Sequence, residues 1–283
     1  MKLPRRRILS LLARPFPERA GAWKRVRISE ERPLRLDGGA ALRRFLLPAP
    51  DAAMRGRRIA FFSDLHFHAT EDEKRRVSAL AAALEELNPQ ALLTGGDLVG
   101  DACDLPLLKT ALRQLAERVP LALAIPGNWE RGKSWLPVDF WRKTYAGCGF
   151  ELLCNEERDC GDFSVYGGDD LIHGDPELPP RRTSDGRFRI LLTHRPDAVV
   201  SCDRYGRLPQ FALALCGHTH GGQWRLPGLG AAFVPSFYGR SFDCGWFRRG
   251  GDGLPMFVST GLGELSLPWR FNCRREAAVI DFV

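Results

Sequence analysis

Clusters of His, Asp and Asn follow five short apolar runs in this 283-residue sequence. The clusters are Asp64-Leu65-His66, Gly96-Asp97, Gly127-Asn128, His194 and Gly217-His218-Thr219-His220. Four of the six histidines lie in them, together with two aspartates and one asparagine. Mixed imidazole and carboxylate ligands suit Mn, Fe, Zn, Ni or Co better than Ca or Mg alone. Seven such side chains exceed the needs of one ion and predict a site for two divalent ions that share a carboxylate.

The elements that must position these side chains are strands alternating with helices. Apolar runs predict strands at 59–63, 91–94, 121–125, 163–166, 189–193, 211–216, 256–260 and 277–283. Helical spacing predicts a helix from the capping box Thr70/Glu73 to Asn88, a second after Pro106 and a third over 135–145. This alternation indicates an α/β fold. Because such sheets gather ligands at the carboxyl ends of their strands, the five clusters are predicted to converge at one edge.

The positive charge of the chain is concentrated at its N-terminus. Residues 1–58 hold 16 Lys and Arg against 5 Asp and Glu, whereas the remaining residues hold 25 against 29. We therefore predict a basic N-terminal extension over residues 1–57 and a globular domain over 58–283. The slightly acidic domain has the wrong sign for binding a nucleic-acid backbone, so no nucleic-acid partner is expected.

The first residues, MKLPRRRILSLLARPFP, contain an apolar run at 8–13 that is too short to span a bilayer, which needs about 20 residues. Two interpretations stay open. The segment is either a peripheral anchor on an anionic membrane surface or a solvated basic tail. None of the eight cysteines forms a C-x-x-C pair, and no stretch indicates an export signal. These features predict reduced thiols in a cytoplasmic protein, with the inner face of the cytoplasmic membrane as its alternative location.

The ordered motifs SDLH, GGDLV, GNWE, THRP and CGHTH resemble those of the calcineurin-like metallophosphoesterases. The extended GHTHGGQ and the C-terminal STGLGELSLPWRFNCRRE resemble a bacterial branch that includes membrane-associated phosphodiesterases and a UDP-2,3-diacylglucosamine hydrolase of lipid A synthesis. The resemblance implies a four-layer αββα sandwich of two mixed β-sheets flanked by helices. It also implies two metal ions, with Mn(II) foremost. One set of implied ligands is Asp64, His66, Asp97 and His220; the other is Asp97, Asn128, His194 and His218.

One position departs from the family pattern, because Trp129 stands where the family usually has a histidine that can protonate the leaving group. A phosphate monoester leaves as a stable anion and needs no such proton, since its second pKa is near 6. Trp129 thus favours a pyrophosphate or diester substrate, although a less active enzyme is the alternative. His68, Arg131 and Lys133 are further candidates for substrate contacts.

The function expected from the resemblance is hydrolysis of UDP-2,3-diacylglucosamine to UMP and 2,3-diacylglucosamine 1-phosphate. A broad-specificity phosphodiesterase acting on phosphorylated small molecules is the alternative. A non-catalytic metal-binding scaffold is disfavoured, because all seven ligand positions are intact. The aperiodic segment 225–255 is predicted to be either a long functional loop or a poorly ordered one. Its aromatic residues either line an acyl groove or contact a membrane, or else they form a packed cover over the sheet edge. These aromatic residues are Phe233, Phe237, Tyr238, Trp246 and Phe247.

Overall fold

The computed structural model describes residues 20–101, 103–133, 136–182, 186–250, 253–265 and 269–283. The described residues form strands β1–β17 and helices α1–α4. The strands are, in order, Trp23–Val26, Ser29–Glu30, Leu34–Leu36, Ala40–Leu47, Arg58–Phe62, Ala91–Thr94, Ala122–Ala124, Glu151–Leu152, Glu156–Asp159, Phe163–Gly167, Phe188–Leu192, Leu213–Cys216, Arg225–Leu226, Gly230–Ala231, Gly245–Arg249, Pro255–Val258 and Arg275–Phe282. The helices are Glu71–Leu87, Leu105–Ala116, Val138–Ala146 and Pro196–Arg204.

Two mixed sheets carry most of these strands. The eight-stranded sheet has the order β2-β4-β17-β5-β6-β7-β8, with β3 also pairing with β4. The seven-stranded sheet has the order β1-β15-β16-β12-β11-β10-β9. Within the first sheet β5 to β8 are parallel, and within the second β10, β11, β12 and β16 are parallel.

The two sheets pack face to face between two helical layers. Successive side chains of β17 point to opposite faces of its sheet. Val279 lies in the core beneath α1, α2 and α3, whereas Ile280 lies in the core between the two sheets. The other face of the seven-stranded sheet packs against α4 through Val199 and Val200. The fold is therefore the expected four-layer αββα sandwich.

Part of the segment before the predicted boundary between residues 57 and 58 belongs to both sheets. Strand β4 pairs with β17 over eight residues, and β1 forms the edge of the seven-stranded sheet. The basic residues Arg43 and Arg44 of this segment pair with Glu276 and Asp281 of β17. Residues 1–19, which hold the predicted membrane anchor, lie outside the described residues.

Local sequence signals placed the first helix correctly. The side chain of Thr70 accepts a hydrogen bond from the N–H of Glu73, whose carboxylate accepts one from the N–H of Thr70, and Asn88 ends the helix in the left-handed conformation. The third helix begins at Val138, not at 135, with Pro137 at its N-cap. Among the described residues, no helix is long and apolar enough to cross a membrane.

The segment 225–255 is not one long loop, because it contains the hairpin β13–β14 and the strand β15. Trp246 and Phe247 of β15 are buried in the cores on either side of their sheet. They cannot line a surface groove. Phe233 and Phe237 are exposed.

Candidate metal centre

All seven predicted ligands lie at one end of the sandwich. In the eight-stranded sheet, Asp64 and His66 follow β5, Asp97 follows β6 and Asn128 follows β7. In the seven-stranded sheet, His194 follows β11, and both His218 and His220 follow β12. The facing carboxyl ends of two sets of parallel strands thus bring together residues up to 156 positions apart.

The first cluster consists of Asp64, His66 and His220, whose ligand atoms all lie within 4.8 Å of one another. The Nε2 atoms of His66 and His220 face each other at 3.1 Å. An oxygen of Asp64 lies 3.5 Å from Nε2 of His220. All three side chains are buried.

The second cluster consists of Asp97, His194 and His218, also with ligand atoms within 4.8 Å of one another. Nε2 of His194 lies 3.1 Å from Nδ1 of His218 and 3.0 Å from Oδ1 of Asn128. Oδ2 of Asp97 lies 3.3 Å from His194 and 3.7 Å from His66 of the first cluster. Asp97 is thus positioned between the two clusters.

The donor set fits two divalent cations. Bonds of about 2.0–2.2 Å to nitrogen and oxygen hold neighbouring ligand atoms of one ion roughly 3 Å apart. The nitrogen–nitrogen distances of 3.1 Å match that spacing. Imidazole with carboxylate suits a transition metal.

The backbone around the clusters is strained. Five of the seven ligand residues have a positive φ: Asp64 at 52°, His66 at 42°, Asp97 at 54°, His218 at 68° and His220 at 51°. A non-glycine residue rarely adopts this conformation, which costs about 1–3 kcal/mol and is found mainly at functional sites. The strain is held by hydrogen bonds between loops, from the N–H of Asp64 to the carbonyl of Gly96 and from the N–H of His66 to that of Asp97. Nothing in the sequence pattern indicated this strain.

Two glycines allow the loops to approach closely. A Cβ on Gly127 would lie 2.1 Å from Oδ1 of Asp97, and one on Gly217 would lie 2.3 Å from Oδ2 of Asp64. Neither contact is sterically possible. A hydrogen atom is the only side chain that fits at either position.

The carboxylate of Asp97 raises the pKa of His194 to about 10 against the effect of burial. Burial shifts the pKa values of four other predicted ligands. It raises the pKa of Asp64 to about 7, with a further contribution from the charge of Asp97, and lowers the pKa of His66 to about 4. Burial also holds the pKa values of His218 and His220 well below 6.5. These three rings therefore stay neutral near pH 7, as metal ligation requires. A bound cation would offset the cost of burying the two carboxylates.

All seven predicted ligands lie within a stretch of the chain that matches a known protein family. Residues 57–222 match the model of the calcineurin-like phosphoesterases. The chain belongs to this family. It is 29% identical over 241 residues to the uncharacterized metallophosphoesterase YkuE of Bacillus subtilis, covering 79% of this chain and 78% of that protein. It is also 29% identical over 233 residues to phosphodiesterase YaeI of Escherichia coli, covering 80% of this chain and 82% of YaeI.

A third relative is a Danio rerio transmembrane protein with a metallophosphoesterase domain. It is 26% identical over 241 residues, covering 79% of this chain and 52% of that protein. As a calcineurin-like phosphoesterase, this chain is a metal-dependent hydrolase of phosphoric esters, and its two clusters indicate a dinuclear site.

The phosphoesterase site contains two residues that sequence reasoning did not single out. Glu130, the last residue of GNWE, is buried and hydrogen-bonds the turns on which Asp97 and Asn128 lie. Arg195 follows His194, and its guanidinium lies 2.5 Å from Nε2 of His218 and 3.2 Å from Oδ1 of Asn128. Their positions inside or beside the motifs were the only available signals.

The predicted substrate contacts lie at different places in this phosphoesterase. Trp129 packs edge-on against His66 with ring centroids 5.1 Å apart, and it lines a cavity together with His68. Arg131 donates from Nε to Oδ1 of Asp169 at 2.9 Å and does not line that cavity. The side chain of Lys133 lies outside the described residues. Roles of Trp129, His68 and Arg131 in binding substrate stay predictions.

Proposed function

We propose that this phosphoesterase cleaves the pyrophosphate bond of UDP-2,3-diacylglucosamine, giving UMP and 2,3-diacylglucosamine 1-phosphate. Asp64, His66, Asp97 and His220 would hold one divalent ion, and Asp97, Asn128, His194 and His218 the other, with Asp97 shared. Two bound ions would supply an activated water and neutralise the charge that develops on the phosphoryl oxygens. The protein's part is to fix their positions and exclude bulk water. Manganese is the metal we propose first.

The observation that carries the proposal is the indole at position 129. Its backbone N–H donates to Oδ1 of Asp97 at 2.8 Å, so residue 129 is fixed beside the metal ligands. Its ring lies against His66 but cannot act as a general acid in water near neutral pH. A leaving alkoxide needs a proton, whereas a leaving phosphate monoester is stable as an anion. This side chain is therefore better suited to cleaving a pyrophosphate bond than a simple alkyl ester.

An exposed apolar patch beside the site supports a lipid-linked substrate. It consists of Leu226, Leu229, Phe233, Phe237, Trp269 and Phe271, each more than 40% exposed. The hairpin β13–β14, which carries part of the patch, begins five residues after His220 and is tied to Phe271 through the N–H of Arg225 at 2.9 Å. Such a patch on a water-soluble surface is a common sign of a lipid or protein contact. We assign it to the acyl chains and to the inner face of the cytoplasmic membrane.

A broad-specificity phosphodiesterase is the second candidate. The family match and the relative named phosphodiesterase YaeI favour it. It requires no lipid contact and leaves the apolar patch without a role.

An activity panel in Mn²⁺ tests the proposal. The substrates are UDP-2,3-diacylglucosamine, bis-p-nitrophenyl phosphate, p-nitrophenyl phosphate and single-stranded DNA. We expect the highest kcat/KM on the lipid nucleotide and release of UMP. Hydrolysis of the bis-ester at a higher kcat/KM would favour the second candidate. Absence of hydrolysis of all four in protein with two bound metals would contradict both.

A further inference from the structure

A cavity of about 370 Å³ opens beside the first metal cluster. Its wall includes the predicted ligand His66, Trp129, Arg76 and Arg275. The cavity thus connects the candidate reaction centre with two guanidinium groups that the dinuclear site does not use.

Arg76 is the unusual member of this wall. The residue is 3% exposed, and its Nε and Nη1 atoms have no hydrogen-bond partner among the described residues. A buried donor without an acceptor costs about 1–3 kcal/mol, and more when the group is charged. Accordingly, burial lowers the pKa of Arg76. The position of its stem is fixed by Gly38, where a Cβ would lie 2.8 Å from Cγ of Arg76.

Arg76 belongs to a cluster with an excess of positive charge. Three arginines surround the single carboxylate of Glu264: Arg275 forms a short ion pair with it, Nη1 of Arg76 lies 3.7 Å away and Nε of Arg270 lies 3.8 Å away. Arg270 also reaches toward the candidate ligand His220, with 3.3 Å between Nη2 and Nδ1. One carboxylate cannot accept bidentate hydrogen bonds from three guanidinium groups.

The charge of Glu73 acts on Arg76 and reduces this excess, but the acidic residues of the cavity wall offer Nε and Nη1 of Arg76 no hydrogen bond. The carboxylate of Glu73 accepts hydrogen bonds from the backbone N–H groups of His68 at 2.9 Å and Thr70 at 3.0 Å. Asp72 is exposed and pairs with Arg75 outside the cluster. Asp101 is also exposed. Within the described part of the chain, Nε and Nη1 of Arg76 therefore still lack a hydrogen-bond acceptor.

We infer that this cavity binds a second anionic group of the substrate, a phosphate or carboxylate, and that Arg76 is its main contact. The inference rests on the proposed function, because the first anionic group is the phosphoryl group bound at the metal clusters. Arg275, which is more exposed than Arg76, also contacts this anionic group. Substrates with two neighbouring anionic groups, such as pyrophosphate diesters, are thereby preferred over diesters with one.

Calorimetric binding of matched phosphonates to the full-length, Mn²⁺-loaded protein tests this subsite without turnover. The pair is 3-phosphonopropionate, which carries a second anion, and propylphosphonate, which does not. We expect the wild type to bind the first about tenfold more tightly. Arg76→Met should remove this preference. Arg75→Met, an exposed change on the same helix, should retain it.

The Arg76→Met variant should fold. In it, a buried guanidinium that lacks hydrogen-bond acceptors is replaced by an apolar side chain of similar length. If that variant does not fold, Arg76→Gln takes its place, and it should likewise lose the preference for 3-phosphonopropionate. Equal affinity of the wild type for both phosphonates, or a preference that persists without the Arg76 charge, would overturn the inference. Hydrolysis of UDP-2,3-diacylglucosamine by the wild type is measured in parallel. Hydrolysis of UDP-2,3-diacylglucosamine without a preference for 3-phosphonopropionate rejects only the subsite. A preference for 3-phosphonopropionate without that hydrolysis rejects only the proposed function.

Discussion

The carboxylate of Glu130 accepts a hydrogen bond from the backbone N–H of Asp97 at 3.0 Å, although 33 residues separate them. The same carboxylate accepts from the N–H groups of Leu98 at 2.8 Å and Gly127 at 2.9 Å, and from the hydroxyl of Tyr145 at 2.8 Å. A single buried side chain therefore fixes the turn that carries Asp97 relative to the turn that carries Asn128.

Glu130→Ala should destabilise the protein strongly, because it leaves three backbone N–H groups and a hydroxyl without their acceptor. At about 1–3 kcal/mol for each unsatisfied group, we expect a loss of at least about 3 kcal/mol in the free energy of unfolding. Thermal denaturation should show a fall in Tm of roughly 6–12 °C. Glu117→Ala, at an exposed position, should change Tm little. Equal Tm values for the two variants would contradict the assigned role of Glu130.

Asp97→Ala should remove metal from both clusters, because Oδ2 of Asp97 lies between His194 and His66. We expect fewer than one Mn per chain after dialysis and at least about a 100-fold fall in kcat/KM on bis-p-nitrophenyl phosphate. Elemental analysis of the purified variant gives the metal content. A variant that keeps two metals and near-normal turnover would show that the clusters do not share this ligand.

Gly217→Ala tests the close approach of the two sheets at the site. The added Cβ would lie 1.8 Å from Oγ of Ser63, so one loop must move. We expect a loss of about 2–3 kcal/mol in the free energy of unfolding, together with weaker metal binding. Gly147→Ala is the matched control, because its φ is −65° and its nearest neighbours would lie at 3.5 Å. Similar stability of both variants would mean that the loops are not tightly packed.

Trp129→His tests the leaving-group argument. A histidine there could protonate an alkoxide, and general acid catalysis is worth about 10²–10⁴-fold where a proton is needed. We expect hydrolysis of a diester with a poor leaving group to improve at least about tenfold relative to pyrophosphate cleavage, or about 1.4 kcal/mol in the barrier. The measurement is kcat/KM on both substrates at fixed Mn²⁺. Equal changes on the two would identify Trp129 as a packing residue for His66.

Deletion of residues 1–19 tests the membrane-anchor hypothesis. The first strand begins at Trp23, so the deletion leaves both sheets intact. We expect at least about tenfold weaker binding to anionic vesicles at low salt, because each basic residue near such a surface contributes about 1 kcal/mol. Turnover of a water-soluble substrate should not change.

A full-length chain with Arg5, Arg6, Arg7 and Arg14 changed to Gln should behave like the deletion. Vesicle binding that is the same with and without the segment would leave it as a solvated tail.

The sequence by itself determined the helix of the capping box, the parallel strands before each motif and the identity of the clustered residues. These features are local. Thr70 and Glu73 form the capping box within one turn of helix, and a polar side chain directly after a buried strand must lie at the sheet edge.

Only the tertiary structure decided which distant segments meet. The sequence did not show that β4 pairs with β17, because two partly buried arginines interrupt the apolar pattern of β4, and pairing register depends on the partner strand. Nor did it show that Trp246 and Phe247 are buried. The grouping of Arg76 with Glu264 and Arg275 joins residues nearly 200 positions apart. Periodicity and motif spacing are short-range signals, whereas a charge cluster or a shared hydrogen-bond acceptor exists only after the chain has closed those long loops.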